Sequence, residues 1–366
     1  MKAHLRFLLL YSIVCGVLTF SCDADDDSLD AKLVVPTSYS EFDDAYYTGQ
    51  LERLAMLTEL KAYAKTAHDG AALDSSRLAA MYLNDAGAGF QGSYEKNLGS
   101  KTFELHRDRF YNYFGQLDRL SVIGAAATAN AAGLHTTLDQ ETTYLLADNG
   151  VEYLQVVEKG LMAACFYYQA HSVYLSDQRM RADNTEPAFG ASTARAHYFD
   201  EAFGYFGVPP DFPTDTDGVK FWGDYCNDRD RLLGTNTIME SFLTGRAAIV
   251  AGDESAQSAA VNSIKQRWEL TAAGSAIHYL NLALLHAPDP ARRAHDLTEA
   301  IAFAQAIGYG DGGSLGLQRI DELVETLAGS ATWPLMNLWT VTDSAIETFR
   351  DELAAATGLV AEKDLL

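Results

Sequence analysis

Histidine and glutamate stand four residues apart in two related stretches of this 366-residue chain. RAHYFDEA carries His197 and Glu201, and RAHDLTEA carries His295 and Glu299. On a helix, residues four apart lie one turn above each other, so each His and Glu can converge on one point. Imidazole nitrogen and carboxylate oxygen are ligands for iron, zinc and manganese, and helical bundles build metal sites from inward-facing pairs of this kind. If the two helices face each other, the four residues make one site for iron or another divalent metal, with Glu158, Glu269 and His278 as auxiliary groups. The same spacing also serves structure alone, each Glu accepting a hydrogen bond from its own His. Asp200 follows His197 by three residues, whereas Thr298 holds that place in the second stretch, so any shared site is asymmetric.

The elements that would position these residues read as helices. Leu51, Leu54, Leu57, Leu60 and Tyr63 recur at three-residue steps and put an apolar stripe on one side of a helix that starts near Gly49. Asp74, Ser75 and Ser76 are good caps for a second helix over 73–84. The Gly- and Ser-rich stretch 85–101 reads as loop. Long helices are predicted over about 103–132, with a break allowed within it, and 139–176, and the adjacent Pro209 and Pro210 break the chain after the first RAH helix. Further helices are predicted over 218–231, 235–252, 254–285, 290–308, 316–328 and 338–356. Nowhere do β-branched residues alternate for long, so the fold class is all-α with no substantial sheet.

The repetition extends beyond the RAH stretches. VEKGLMAACFYYQA (157–170) aligns with WELTAAGSAIHYLN (268–281), placing Glu158 over Glu269, Tyr167 over His278 and Tyr168 over Tyr279. The expectation is a duplicated helical bundle, with repeats at about 157–207 and 268–308, inside one helical domain over 49–366. Weaker motifs point elsewhere. GGSLG (312–316) has the spacing of a nucleophile elbow, but no strand leads into it, and Ser314 reads as a helix cap. PTDTDGVKFWGD (213–224) has Pro213 where a calcium loop needs its first carboxylate, and reads as a turn. HExxH, CxxC and a phosphate-binding glycine loop are all missing from the sequence.

The amino terminus has the character of an export leader. Lys2 and Arg6 flank the apolar run from Phe7 to Phe20, which is too short to span a bilayer that needs about 20 residues. Cleavage after residue 21 would leave Cys22 as an acylated first residue, followed by the carboxylate-rich DADDDSLD and an extended lead-in to residue 48. Cys165 and Cys226 then remain as two isolated thiols, and no disulfide framework is expected. The net charge of −23 makes nucleic acid a poor partner and leaves cations, cationic peptides and neutral ligands open.

VPTSY (35–39), YTGQLERLAML (47–57), HYFDEAFGYFGVP (197–209), FWGDYCNDRD (221–230) and HDLTEAIAF (295–303) together resemble a family of bacterial cell-envelope lipoproteins over nearly the whole mature chain. That family is similar to the imelysin-like proteins, which are double helical bundles linked to iron acquisition. The resemblance implies an outer-membrane lipoprotein, periplasmic or surface exposed, that binds a ligand and is accessory to uptake of iron, haem or a metal-linked nutrient. Its partners would be the membrane that holds its lipid and an outer-membrane transporter or imelysin-like protein. A metallopeptidase is the alternative within that resemblance, although imelysin proteins carry GxHxxE and this chain carries HxxxE. The third reading is a surface glycan- or protein-binding module without metal, which requires an exposed aromatic platform away from the HxxxE helices.

Overall fold

Residues 33–366 are described in the computed structural model; the leader, Cys22 and the acidic run behind it lie outside the described residues. Twelve α-helices are described. They are α1 (Thr48–Lys65), α2 (Ser75–Leu83), α3 (Arg107–Ser121), α4 (Tyr153–Leu161), α5 (Asp177–Met180) and α6 (Ala194–Phe206). The carboxyl half adds α7 (Trp222–Leu233), α8 (Ile238–Ala251), α9 (Glu254–Leu285), α10 (Pro290–Ile307), α11 (Leu317–Ala328) and α12 (Asp343–Thr357). The predominantly all-α class is thus shown. No described helix is long and apolar enough to cross a membrane.

α9 is the axis around which α7, α8, α10 and α12 pack. Its middle is made of small residues, Ala272, Ala273, Gly274, Ser275 and Ala276, which let neighbours approach from several sides. Asp253 and Asp289 start α9 and α10, each side chain accepting from the first free backbone N–H groups of its helix. Trp222, Trp268, Phe206 and Phe303 meet edge to face at the centre of the core.

Three sequence expectations need correction. The helix predicted over 103–132 spans only Arg107–Ser121. Gly124 and Asn130 have positive φ, and Gly133, at φ 146°, lies where a Cβ would come within 2.5 Å of the Ala125 carbonyl oxygen. These backbone positions override the helix preference of the alanine run. The helix predicted over 139–176 starts only at Tyr153; before it, β1 (Gly133–Thr136) pairs with β2 (Thr143–Leu146) in an antiparallel hairpin. Thr136, Thr137, Thr142 and Thr143 flank the turn, and β-branched residues suit the pleat better than a helix. The third correction concerns the lead-in to residue 48. Ser38 and Glu41 form a capping box around a short 3-10 turn, and Tyr39 is fully buried, stacked 3.7 Å from Phe203.

After α4 the same rod continues from Met162 to Tyr174 in π-helical turns, interrupted only at Tyr168. Nothing in the periodicity announces this, because residues 151–167 are buried on nearly every side and leave no polar face whose spacing would mark the wider turn. A second hairpin, β3 (Pro187–Phe189) with β4 (Ser192–Thr193), leads directly into α6. The helix order of the two proposed repeats agrees, and each RAH helix packs on the long helix of its own copy, α6 on the π-helical rod and α10 on α9. The further partners differ, α1 and α8 for α6 against α4 and the rod for α10, so the duplication is not established by the packing.

Candidate functional site

The structure does not bring His197 and His295 into one shared set of contacts. Each belongs to its own environment, and the seven site residues expected from the sequence divide among four places.

His295 and Glu299, on α10, face α4. His295 Nδ1 donates to Glu152 Oε2 at 2.6 Å, and its Nε2 lies 3.6 Å from Glu299 Oε1. Glu152 also lies 3.5 Å from His68, in the 3-10 turn that follows α1. Lys159 Nζ stands between two carboxylates, 3.7 Å from Glu299 and 3.3 Å from Glu158, and Lys61 caps the row by donating to Glu158 at 2.7 Å. Tyr144, from the β1–β2 hairpin, stacks on His295 at 4.5 Å. Burial alone would depress the His295 pKa, but the charge and hydrogen bond of Glu152 outweigh it and push it up to about 9. Burial likewise pushes the Glu152 carboxyl up, and His295 more than reverses that, holding it below the usual carboxylate range. Three carboxylates therefore face two internal cations, His295 and Lys159, and the partly exposed Lys61. With His295 protonated and Lys159 seated between Glu158 and Glu299, the position a metal ion would need is taken by an ammonium group.

His197 and Glu201, on α6, form a looser pair, 3.7 Å apart. Glu201 instead accepts from Gln50 Nε2 at 2.8 Å. The β3–β4 hairpin lays Phe189 on the His197 ring at 4.1 Å and 20°, and Tyr46 faces that ring at 6.2 Å. Burial is the main cause holding the His197 pKa below its ordinary value, so the ring is neutral at pH 7. Tyr46 and Phe189 are 56% and 42% exposed, and with Asp43, Asp44 and His197 they line an open cleft of about 440 Å³. Arg246 holds Asp44 at 2.7 Å, while Asp43 is exposed and has no ion pair among the described residues.

Asp200 fixes this cleft. Its carboxylate accepts from Tyr39 Oη at 2.7 Å, from Arg246 Nε at 2.8 Å and from the Tyr46 backbone at 3.4 Å. Burial pushes its pKa up to about 6 in spite of Arg246. Thr298, at the matching place on α10, bonds back to the Ala294 carbonyl and receives the Glu152 N–H. The asymmetry visible in the sequence is thus the difference between clamping a chain segment and closing a helix turn.

The remaining auxiliary residues lie apart. Glu269 accepts the Ser314 backbone N–H at 3.1 Å, and Ser314 is no helix cap, since Gly316 takes that position on α11. His278 stands near Arg229 and the carboxyl-terminal Leu366, its pKa lowered mainly by burial. Among the described residues, no group of three or more His, Cys, Asp or Glu is arranged to hold a metal ion. This geometry does not form the four-residue metal site expected from His197, Glu201, His295 and Glu299.

Sequence reasoning passed over His68, Glu152 and Lys159, although Glu152 and Lys159 flank the Glu158 that it singled out. It also passed over Asp43, Tyr46 and Phe189. An isolated Phe189 in the otherwise polar run NTEPAFGAS was the one available signal for the last.

Residues 42–359 match a family described as "Domain of unknown function (DUF4856)", and the chain belongs to that family. No curated protein and no solved structure matches the chain.

Proposed function

We propose that this chain is a non-catalytic binding protein of the cell envelope that takes a basic side chain of a peptide or partner protein into the cleft beside His197. The observation that carries this reading is the combination of Tyr46 and Phe189, two exposed rings aligned on a neutral imidazole, with the carboxylate of Asp43, which has no ion pair among the described residues, at the same mouth. Aromatic faces attract a cation through their quadrupole, and a nearby carboxylate adds charge and a hydrogen-bond acceptor. The cleft is mostly apolar with few polar groups, as small ligand sites generally are. The net charge of −23 raises the local concentration of cationic ligands further.

The envelope location rests on the leader and Cys22, which lie outside the described residues. Of the three readings open to the sequence, this is nearest the metal-free binding module, but its aromatic platform, Tyr46 and Phe189, lies against His197 of the HxxxE helix α6 and not away from it. A role in iron or haem uptake rests on family resemblance and draws no support from the residues around His197 or His295.

Titration calorimetry of the mature chain with Lys- and Arg-containing peptides, acidic peptides and neutral oligosaccharides tests the proposal. Basic peptides should bind, and Tyr46→Ala with Phe189→Ala should weaken them at least tenfold. Asp43→Asn should weaken them severalfold. Equal binding of acidic peptides, or basic-peptide binding untouched by these changes, would sink it.

A further inference from the structure

A second, polar cleft shares no lining residue with the one beside His197, and the proposed function does not use it. It is bounded by the π-helical rod, α9 and the glycine-rich loop 309–316, and has a volume of about 420 Å³, within the range of about 300–1,000 Å³ found for small-molecule clefts. Ser172 Oγ donates to the Tyr309 carbonyl at 2.6 Å and accepts from Asp311 N–H at 2.8 Å, which ties one end of the loop to the rod. Glu269 accepts the Ser314 N–H and ties the other end to α9. Gly310, inside the first tie, approaches Tyr167 and His171 closely, and Gly313, between the ties, approaches Glu269, where a Cβ would stand 2.6 Å from the carboxylate.

His171 lines this cleft. It is only 2% exposed, and neither ring nitrogen makes a hydrogen bond of normal geometry among the described residues. The neighbouring Tyr167, stacked on it at 4.9 Å, has an equally unpartnered buried hydroxyl. Buried polar groups left unpaired are rare and costly, and π-helical turns recur at functional sites. Burial, with the charge of Lys265 next, pushes the His171 pKa down to about 3, partly countered by the carbonyls of Lys265 and of His171 itself. The ring is therefore neutral and offers one N–H and one lone pair.

We propose that this cleft binds a small neutral polyhydroxy compound, a monosaccharide or disaccharide, by hydrogen bonds to His171, Lys265, Gln266, Glu269 and Asp311. Hydroxyl groups both donate and accept, and the cleft mixes both needs. Glu269 and Asp311 accept only; Lys265, which has no ion pair among the described residues, donates only; Asn262, Gln266 and neutral His171 do both. Three carboxylates, Asp177, Glu269 and Asp311, against one ammonium disfavour an oxyanion. No exposed aromatic ring lines the cleft for a flat apolar ligand, and its carboxylates form no metal-ligand group.

The test is titration of the mature chain with a panel of neutral hexoses, pentoses, N-acetylhexosamines, their disaccharides and linear polyols, with amino acids and inorganic phosphate as controls. The imidazole NMR signals of His171 are followed in parallel. At least one sugar or polyol should bind, move the His171 signals, and lose at least tenfold in affinity in Lys265→Met and in Gln266→Ala, both at accessible positions. Asp43→Asn should leave that affinity unchanged, which separates this cleft from the one beside His197. No binding across the panel, binding confined to amino acids or phosphate, or sugar binding indifferent to Lys265 and Gln266 would overturn the proposal.

Discussion

The proton on His295 persists despite burial because Glu152 lies 2.6 Å away, and that gives the fold a pH dependence with a definite sign. A histidine whose folded pKa is raised from 6.5 to about 9 contributes stability fully below 6.5 and loses it as pH rises through 9. At about 1.4 kcal/mol for each pH unit of the rise, the contribution is up to about 3 kcal/mol. Urea denaturation should show stability falling between about pH 6.5 and pH 9.5, and His295→Gln should flatten that fall. Lys159 offers a second check. It is 3% exposed between Glu158 and Glu299, so Lys159→Met leaves buried carboxylates without their cation and should cost about 3–5 kcal/mol in the same measurement. The HxxxE spacing made both histidines legible as members of polar pairs. It could not reveal Glu152, 143 residues from His295 in sequence, which decides the state of that imidazole.

At the level of elements, α1 and α6 touch where α6 has no side chain. A Cβ on Gly204 would stand 2.7 Å from the Tyr47 Cβ and 2.9 Å from the Gln50 Cβ, both too near their own backbones to move freely. Gly204→Ala should therefore destabilise the fold by about 1–3 kcal/mol, read as a lower urea midpoint with an unchanged slope. It should also weaken ligand binding at the cleft, because Tyr47 and Tyr46 belong to the same clamped segment. Where apolar spacing and caps agreed the helices were legible: α1 starts at Thr48, beside the stripe from Leu51 to Tyr63, and α2 follows its Asp74 cap. The β1–β2 hairpin was not, since a few threonines and a turn are too short a signal beside an alanine run. The lead-in escaped for the opposite reason. Tyr39 looks like one aromatic in a polar tail, and only the stacking of Phe203 and the carboxylate of Asp200 turn it into core.

For the whole molecule, charge and accessibility set the behaviour. The acidic excess draws basic ligands from a distance but is screened beyond about 10 Å at 0.1 M salt. Affinity for a basic peptide should drop severalfold from about 0.05 to about 0.5 M salt, mainly through slower association, whereas affinity at the polar cleft for an uncharged sugar should not. Fluorescence titration across salt concentrations distinguishes the two. The family match over residues 42–359 covers almost all of the compact unit from Val34 to Leu366, so both clefts belong to the part of the chain that defines the family. The two free thiols among the described residues add a clock to this architecture. Cys165 sits in the π-helical rod and Cys226 in α7; both are fully buried, and burial pushes both pKa values up to about 12. A thiol in that state reacts with an alkylating reagent only during the moments when its surroundings open. The two labelling rates therefore time the breathing of two separate regions, and a ligand that seals one of them will slow its own clock and leave the other running.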